Sequence, residues 1–247
     1  LSPGRWSNEV LLVPSSGRGE PVNLTRSGYE DNVPRWAFKG EGMFWATDRQ
    51  GPRGHSGWGG WDDIHVMFFT EASWDRFRLS EAEFAQVKAA DEKAEKAKKK
   101  KDGPAEDVEP SKPKLAEQVE LDLERREDRT RRLTIHSAPI AAAALTPDGE
   151  RLLYLARFEK GFDLWSYLHR TSEIKLLAKL DAESAGGLEI DAKGEKAFVM
   201  ADHRLLRVDL GKGESKPVAY SAMMEVDGAA ERAHLFDHAW RQTGKKF

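Results

Sequence analysis

Three stretches of this 247-residue chain repeat one another, and the interval between them restricts the fold more than composition does. Residues 33–48, 144–156 and 187–201 each read as a short apolar strand, a tight turn closing on glycine and a second apolar strand. Gly40, Gly149 and Gly194 close the turns, where a missing Cβ removes the steric cost of positive φ. Gly149 and Gly194 stand 45 residues apart, the length of one four-stranded propeller blade. Gly40 and Gly149 stand 109 apart, which implies an insertion of about 64 residues.

A third and a fourth apolar strand follow each hairpin. The third strands fall at 63–70, 162–168 and 204–210, the fourth at 130–135, 173–178 and 215–220. An earlier strand pair occupies 8–13 and 20–25. The chain therefore predicts an all-β fold: a partial β-propeller of about three and a half four-stranded blades, with a charged helical or disordered insertion and a C-terminal helix. The expected blades run over about 1–26 (partial), 31–137, 140–180 and 185–222, within a propeller portion at 1–224. The charged insertion lies at about 80–124, and 225–247 forms a helical linker to a downstream domain missing here. Matched strand positions place Trp36, Phe38, Trp45, Leu145, Leu153, Leu155, Trp165, Leu188 and Phe198 in blade or interblade cores.

The composition agrees with a core plus a solvated stretch. Charged residues make up 33% of the chain against 39% hydrophobic, and mean hydropathy is -0.65. Within the insertion, Ser80 and Glu83 form a candidate capping box, and Phe77, Leu79, Phe84 and Val87 can anchor its start. Seven lysines against three acids at 88–101 are followed by eight acids against two lysines at 102–124, a pattern of a solvated arm with a docking arm as the alternative. At the C-terminus, Val226, Ala229, Ala230, Ala233, Leu235, Phe236, Ala239 and Trp240 fit a helix with one apolar side.

Several classes of chemistry are excluded. The absence of cysteine removes disulfides, thiolate nucleophiles and cysteine-ligated metals. A net charge of -3 gives no basic footprint for nucleic acid. The longest stretch without an ionisable side chain, histidine included, is 137–147, which holds eleven residues and two prolines, too short to span a bilayer, so a soluble chain is expected. A start at Leu1 without a leader pattern suggests a processed or excised piece; cytoplasm and periplasm are both compatible, as is a homo-oligomer.

Candidate sites are few. Gly54-His-Ser-Gly-Trp58 fails the nucleophile-elbow pattern at its fifth position, which argues against Ser56, and residues 51–60 lack the Gly-Lys-Ser/Thr of a phosphate loop. That glycine-rich loop presents Trp58 and Trp61, either as a peptide-contacting lip or packed back on their own blade. His234 and His238, with Asp237 between them, have a metal-compatible helical spacing but lack a third ligand; helix surface is the ordinary explanation. His55, Asp62, Asp63 and His65 form a polar group in which Asp62 faces away from Asp63 and His65. Arg125, Arg126, Arg129, Arg131 and Arg132 either line one end of a channel for peptide carboxylates or decorate an edge strand. The substrate-binding candidates are thus Trp58, Trp61, Arg129 and Arg131. No catalytic residue, metal ligand or cofactor is assigned.

The order of several short runs resembles a known family. These are Trp6-Ser-Asn-Glu-Val10, Pro34-Arg-Trp36, Ala46-Thr-Asp-Arg49, Trp61-Asp-Asp-Ile64, Met67-Phe-Phe-Thr70, Trp74-Asp-Arg-Phe-Arg-Leu-Ser80 and Arg157-Phe-Glu-Lys-Gly-Phe-Asp-Leu-Trp165. Ala230-Glu-Arg232 and His238-Ala-Trp-Arg241 close the series, and Thr146-Pro-Asp-Gly149 is similar to the hairpin repeat of TolB-like and tricorn-type propellers. Over essentially its whole length the chain resembles the propeller region of tricorn-like serine peptidases, of the C-terminal-processing peptidase superfamily. The resemblance implies a noncatalytic propeller that guides or filters peptide or unfolded polypeptide substrates toward the protein's own downstream PDZ and catalytic domains. The parent protein would be the hydrolase, since the family's Ser, His and Glu catalytic motifs have no match here. The alternative is a TolB-like interaction propeller without enzymatic activity. Two turns depart from the family pattern: Leu168-His169 with Thr171-Ser172 replaces an acid and a glycine, and His203 stands where a glycine is expected after Asp202.

Overall fold

The computed structural model describes residues 7–52, 60–101 and 121–246. It divides into two units, Leu1–Pro217 and Val218–Phe247. The first begins with β1 (Leu11–Leu12) and β2 (Val22–Asn23), a two-stranded sheet. Three four-stranded antiparallel sheets follow. One contains β3 (Asp31–Ala37), β4 (Gly42–Thr47), β5 (Asp63–Phe68) and β6 (Thr130–Arg132), in that spatial order. Between its last two strands lie α1 (Glu71–Arg78) and α2 (Glu81–Lys101). Another contains β7 (Ile140–Leu145), β8 (Arg151–Arg157), β9 (Phe162–Leu168) and β10 (Glu173–Ala182). The last contains β11 (Ala185–Ile190), β12 (Lys196–Ala201), β13 (Arg204–Asp209) and β14 (Ser215–Pro217). The second unit carries α3 (Gly228–Lys246), none of whose residues is buried. The expected partial propeller with its inserted and terminal helices is therefore present. Among the described residues no helix is long and apolar enough to cross a membrane.

Period-two alternation explains how the sheets stack. Successive strand residues point to opposite faces, so Phe44, Val66 and Phe68 join one apolar cluster while Met43, Trp45 and Met67 join another. On β8, Leu152, Tyr154 and Ala156 pack toward the β3–β6 sheet, whereas Leu153 and Leu155 pack with Leu188, Val199 and Val208 of the last sheet. A strand buried on both faces loses the apolar–polar alternation, and a polar residue on it needs a partner. Five of the seven β8 residues are buried, and all six of β5.

The turns show what a glycine provides and what can replace it. Gly149 has φ +75°, and a Cβ there would fall 2.4 Å from the Phe38 ring, so both backbone conformation and neighbour require glycine. Asp202 and His203 adopt φ 46° and 63° without glycine, and Ser172 does so at 56°. The hairpins thus form despite the departures from the family pattern.

Several boundaries differ from expectation. The fourth strand of the last sheet ends at Pro217, which has no N–H to extend a ladder. The β6 ladder stops at Arg132, but Leu133 N donates to Ile64 O at 2.7 Å and Ile64 N donates to Thr134 Oγ1 at 3.1 Å, so a side chain continues the pairing. Helix α1 was not anticipated. Thr70 starts it, its Oγ1 accepting from Ser73 N at 3.2 Å, and Phe77 is buried in the cluster between the first two four-stranded sheets. The Ser80–Glu83 capping box is present, with Ser80 N to Glu83 Oε2 at 2.9 Å and Glu83 N to Ser80 Oγ at 3.4 Å.

Among the expected core residues, Trp45, Leu153, Leu155 and Leu188 are buried, while Phe38, Leu145, Trp165 and Phe198 are half-buried. Trp36 is a correction, being 58% exposed. It pairs with Met43 and so shares the face that packs on β1 and β2. That two-stranded sheet covers Trp45, Met67 and Phe69 but leaves Trp36 uncovered.

Replacing Leu153 by alanine is expected to cost roughly 2–5 kcal/mol, because a fully buried side chain leaves a cavity between two sheets. Trp36→Ala should cost no more than about 1 kcal/mol. Denaturant titration of both variants checks the contrast, and equal losses would contradict this assignment of faces.

Candidate functional site

The β4–β5 and β8–β9 connections leave one end of their sheets, and the β3–β4, β7–β8 and β9–β10 connections leave the other. At the β4–β5 connection, Trp61 is 48% exposed and its N donates to Pro52 O at 3.2 Å. A Cβ on Gly51 would lie 1.7 Å from Trp61 O, so the close return of this loop requires glycine. Asp62 pairs with Ala138 through backbone bonds of 3.0 and 3.3 Å, joining the loop to the start of the next blade. Burial pushes its carboxyl up to about 6, assisted by the negative charges of Asp48, Asp63 and Glu30.

The neighbouring polar residues are already committed. Asp63 is fully buried and accepts from Arg132 Nε at 2.8 Å, Arg132 Nη2 at 2.7 Å, Thr134 Oγ1 at 2.7 Å and Ser137 Oγ at 2.8 Å. Three of these donors converge on Oδ1 and one on Oδ2, which ties the carboxylate to the segment that returns from the insertion. His65 Nε2 lies 2.8 Å from Gln50 Oε1, and burial pulls the imidazole down to about 4, opposed in part by Asp63. His55 lies outside the described residues, as do Ser56 and Trp58. Among the described residues, no group of three or more His, Asp or Glu side chains is arranged to hold a metal ion.

The arginine group separates into distinct roles. Arg126 donates to Leu24 O, Leu123 O and Asn23 O at 2.8–2.9 Å, and Arg129 to Phe68 O at 3.2 Å, Asp122 O at 2.6 Å and Glu124 O at 3.0 Å. Both are buried, holding the segment that returns from the insertion. Arg132 pairs with Asp63, and Arg125 with Asp128 at 3.0 Å. Arg131 is exposed on β6, the strand farthest from β3 in its sheet. Its β5 partner is Val66, five residues from Trp61, which is roughly 17 Å along a strand. Trp61, Arg129 and Arg131 therefore do not converge. On α3, the His234 and His238 rings are 6.3 Å apart, and Asp237 pairs with Arg241 at 2.7 Å.

Two cavities open at the end of the blades that carries the β7–β8 turn, and Pro147 and Asp148 of the Thr146-Pro-Asp-Gly149 repeat line both. One, of about 480 Å³, has Phe38, Phe68, Phe77 and Phe84 in its lining beneath charges from Lys39 and Asp148. The other, of about 620 Å³, lies between the β7–β8, β11–β12 and β13 turns, lined by Arg151, Lys193, Glu195 and Asp209. Arg170 adjoins the first, donating to Glu150 and to the α1 carbonyls of Phe77 at 3.1 Å and Leu79 at 2.6 Å. Sequence spacing gave no sign of it, because those carbonyls lie more than 90 residues away.

This arrangement of sheets matches solved structures. The tricorn protease aligns with a TM-score of 0.51 and 11% identity, over 85% of this chain and 19% of that one. The fold is a tricorn-type β-propeller region. TolB from Acinetobacter baumannii aligns at 0.37 and 12% identity, covering 87% of this chain and 49% of that one. A puromycin-hydrolyzing peptidase of Mycobacterium tuberculosis aligns at 0.47 and 12% identity, covering 83% and 26%. The chain thus spans at most about half the length of these structures. No family model matches it, and no curated protein matches by sequence.

Acid should weaken this propeller region in a defined window. A histidine whose folded pKa is depressed contributes no penalty above its unfolded value of 6.5 and destabilises progressively as pH falls toward about 4. For His65 the loss is expected to be on the order of 2–3 kcal/mol. Denaturant midpoints at pH 7 and pH 4.5 should differ less in His65→Gln than in the parent.

Proposed function

We propose that this chain is the noncatalytic β-propeller portion of a tricorn-like serine peptidase, guiding or filtering peptide substrates for proteolysis by downstream domains. The carrying observation is the fold correspondence with the tricorn protease, over 85% of this chain but only 19% of that one. The ordered motif series from Trp6 to Arg241 supports the same reading. The partners are extended or unfolded polypeptides and the protein's own PDZ and catalytic domains. Trp61 is the described aromatic offered to an extended chain at the β4–β5 end, since its ring can bury area against a peptide while its backbone anchors the loop.

Incubation of the purified chain with a diverse peptide pool, read by mass spectrometry, should give no cleavage products. Cleavage should appear when the downstream segment is restored. Trp61→Ala should weaken peptide binding several-fold, measured by fluorescence anisotropy, with stability unchanged. A gene that stops near Phe247 and a chain that binds folded proteins instead of peptides would favour a TolB-like interaction propeller.

A further inference from the structure

The β9–β10 turn places a histidine in the seam between a blade and the inserted helices. Ser172 takes the positive φ of that turn, and His169 is only 7% exposed. The His169 ring stacks on Phe77 of α1, 4.3 Å between centroids and 18° between planes. Its Nδ1 lies 3.2 Å from Glu150 O. A carbonyl accepts only, so Nδ1 carries the proton and Nε2 is the bare nitrogen. That Nε2 is buried without a hydrogen-bond partner.

Besides His169, the rings of Phe38 and Phe68 pack on Phe77, at 5.9 and 4.7 Å between centroids. Trp74 and Phe77 enter the apolar cluster, Arg170 binds the carbonyls that end α1, and Phe84 of α2 lies 3.7 Å from the Arg170 guanidinium. The charges around His169 offer little to an imidazolium. Arg170 is adjacent, Arg131 approaches from β6, and α1 contributes Arg76 and Arg78 in its last turn, paired with Asp91 and Asp75. From the β7–β8 turn, Glu150 is engaged by Arg170, and Asp148 accepts from Thr146 Oγ1 and Glu150 N.

We propose that His169 is a proton-operated latch on the insertion: the neutral imidazole holds the Phe77 stack, and the imidazolium leaves it and frees Glu71–Arg78 while the sheets remain paired. Release would open the phenylalanine-lined cavity of about 480 Å³ beneath α1 and α2. Burial pulls the docked imidazole down to about 4, followed in effect by the Arg170 charge, with the Glu150 carbonyl opposing. Docking is therefore complete above pH 6.5 and weakens as pH falls toward 4.

Hydrogen exchange on the whole chain, corrected for intrinsic rates, tests this at pH 7 and pH 4.5. The α1 opening constant should rise on the order of 50- to 100-fold between them, while β8 and β9 stay protected. His169→Phe keeps a ring against Phe77 without a titrating nitrogen, and His169→Gln keeps a donor for Glu150 O should the phenylalanine variant fail to fold. Either should abolish the pH dependence of α1. Equal α1 protection at both pH values in the parent would overturn the proposal, as would the same acid response in the variants. Loss of protection in α1 together with β8 and β9 would also overturn it, since that is global unfolding.

Discussion

The buried carboxylate of Asp63 is the constraint on which the first complete blade depends. The chain leaves that sheet after β5 and returns more than 60 residues later, so nothing local sets the register of β6. Asp63 sets it. Its oxygens are met by Arg132, Thr134 and Ser137, all from the returning segment. A buried charge missing one of these donors would be strongly destabilising, so a one-residue slip is excluded by electrostatics as well as by the side-chain alternation. Arg129 and Arg126 extend the same logic to the preceding turn, where guanidinium groups satisfy backbone carbonyls that no strand partner reaches.

Once that register is fixed, the remaining architecture follows from face-to-face burial. Each four-stranded sheet has two apolar faces and needs a neighbour on both. The middle sheet has them, and its β8 residues divide between two clusters with little exposed surface. The terminal sheets have fewer. Trp36 faces the gap beside the two-stranded sheet, and Met200 lies on the outer face of the last one. These side chains are exposed because of what stands opposite them, not because of their own strand geometry.

Functionally, the described chain separates scaffold from contact surface. The buried polar residues Asp63, His65 and His169 are each engaged by a neighbouring element: Asp63 by Thr134, His65 by Gln50 and His169 by the Glu150 carbonyl and the Phe77 ring. The inserted helices sit above an aromatic cavity and are held through a small set of groups at the blade end.

The repeat interval, the turn glycines and the alternation of apolar residues were enough to determine a fold of four-stranded antiparallel blades and the order of their strands. All of these are local or periodic properties, carried by backbone sterics and the period of a strand. Helix α1 was missed because its short sequence carries only one deeply buried apolar residue, Phe77, and its docking is decided by a distant blade. The arginine group was legible as a cluster but not as a set of clamps, since the carbonyl partners of Arg126 lie about 100 residues away in sequence. Exposure of Trp36, the separation of Trp61 from Arg131 and the stack of His169 on Phe77 were likewise set only when sheets met. Sequence determined which residues could be buried; the tertiary structure decided which of them found a partner, because burial is a property of two surfaces and a strand supplies one.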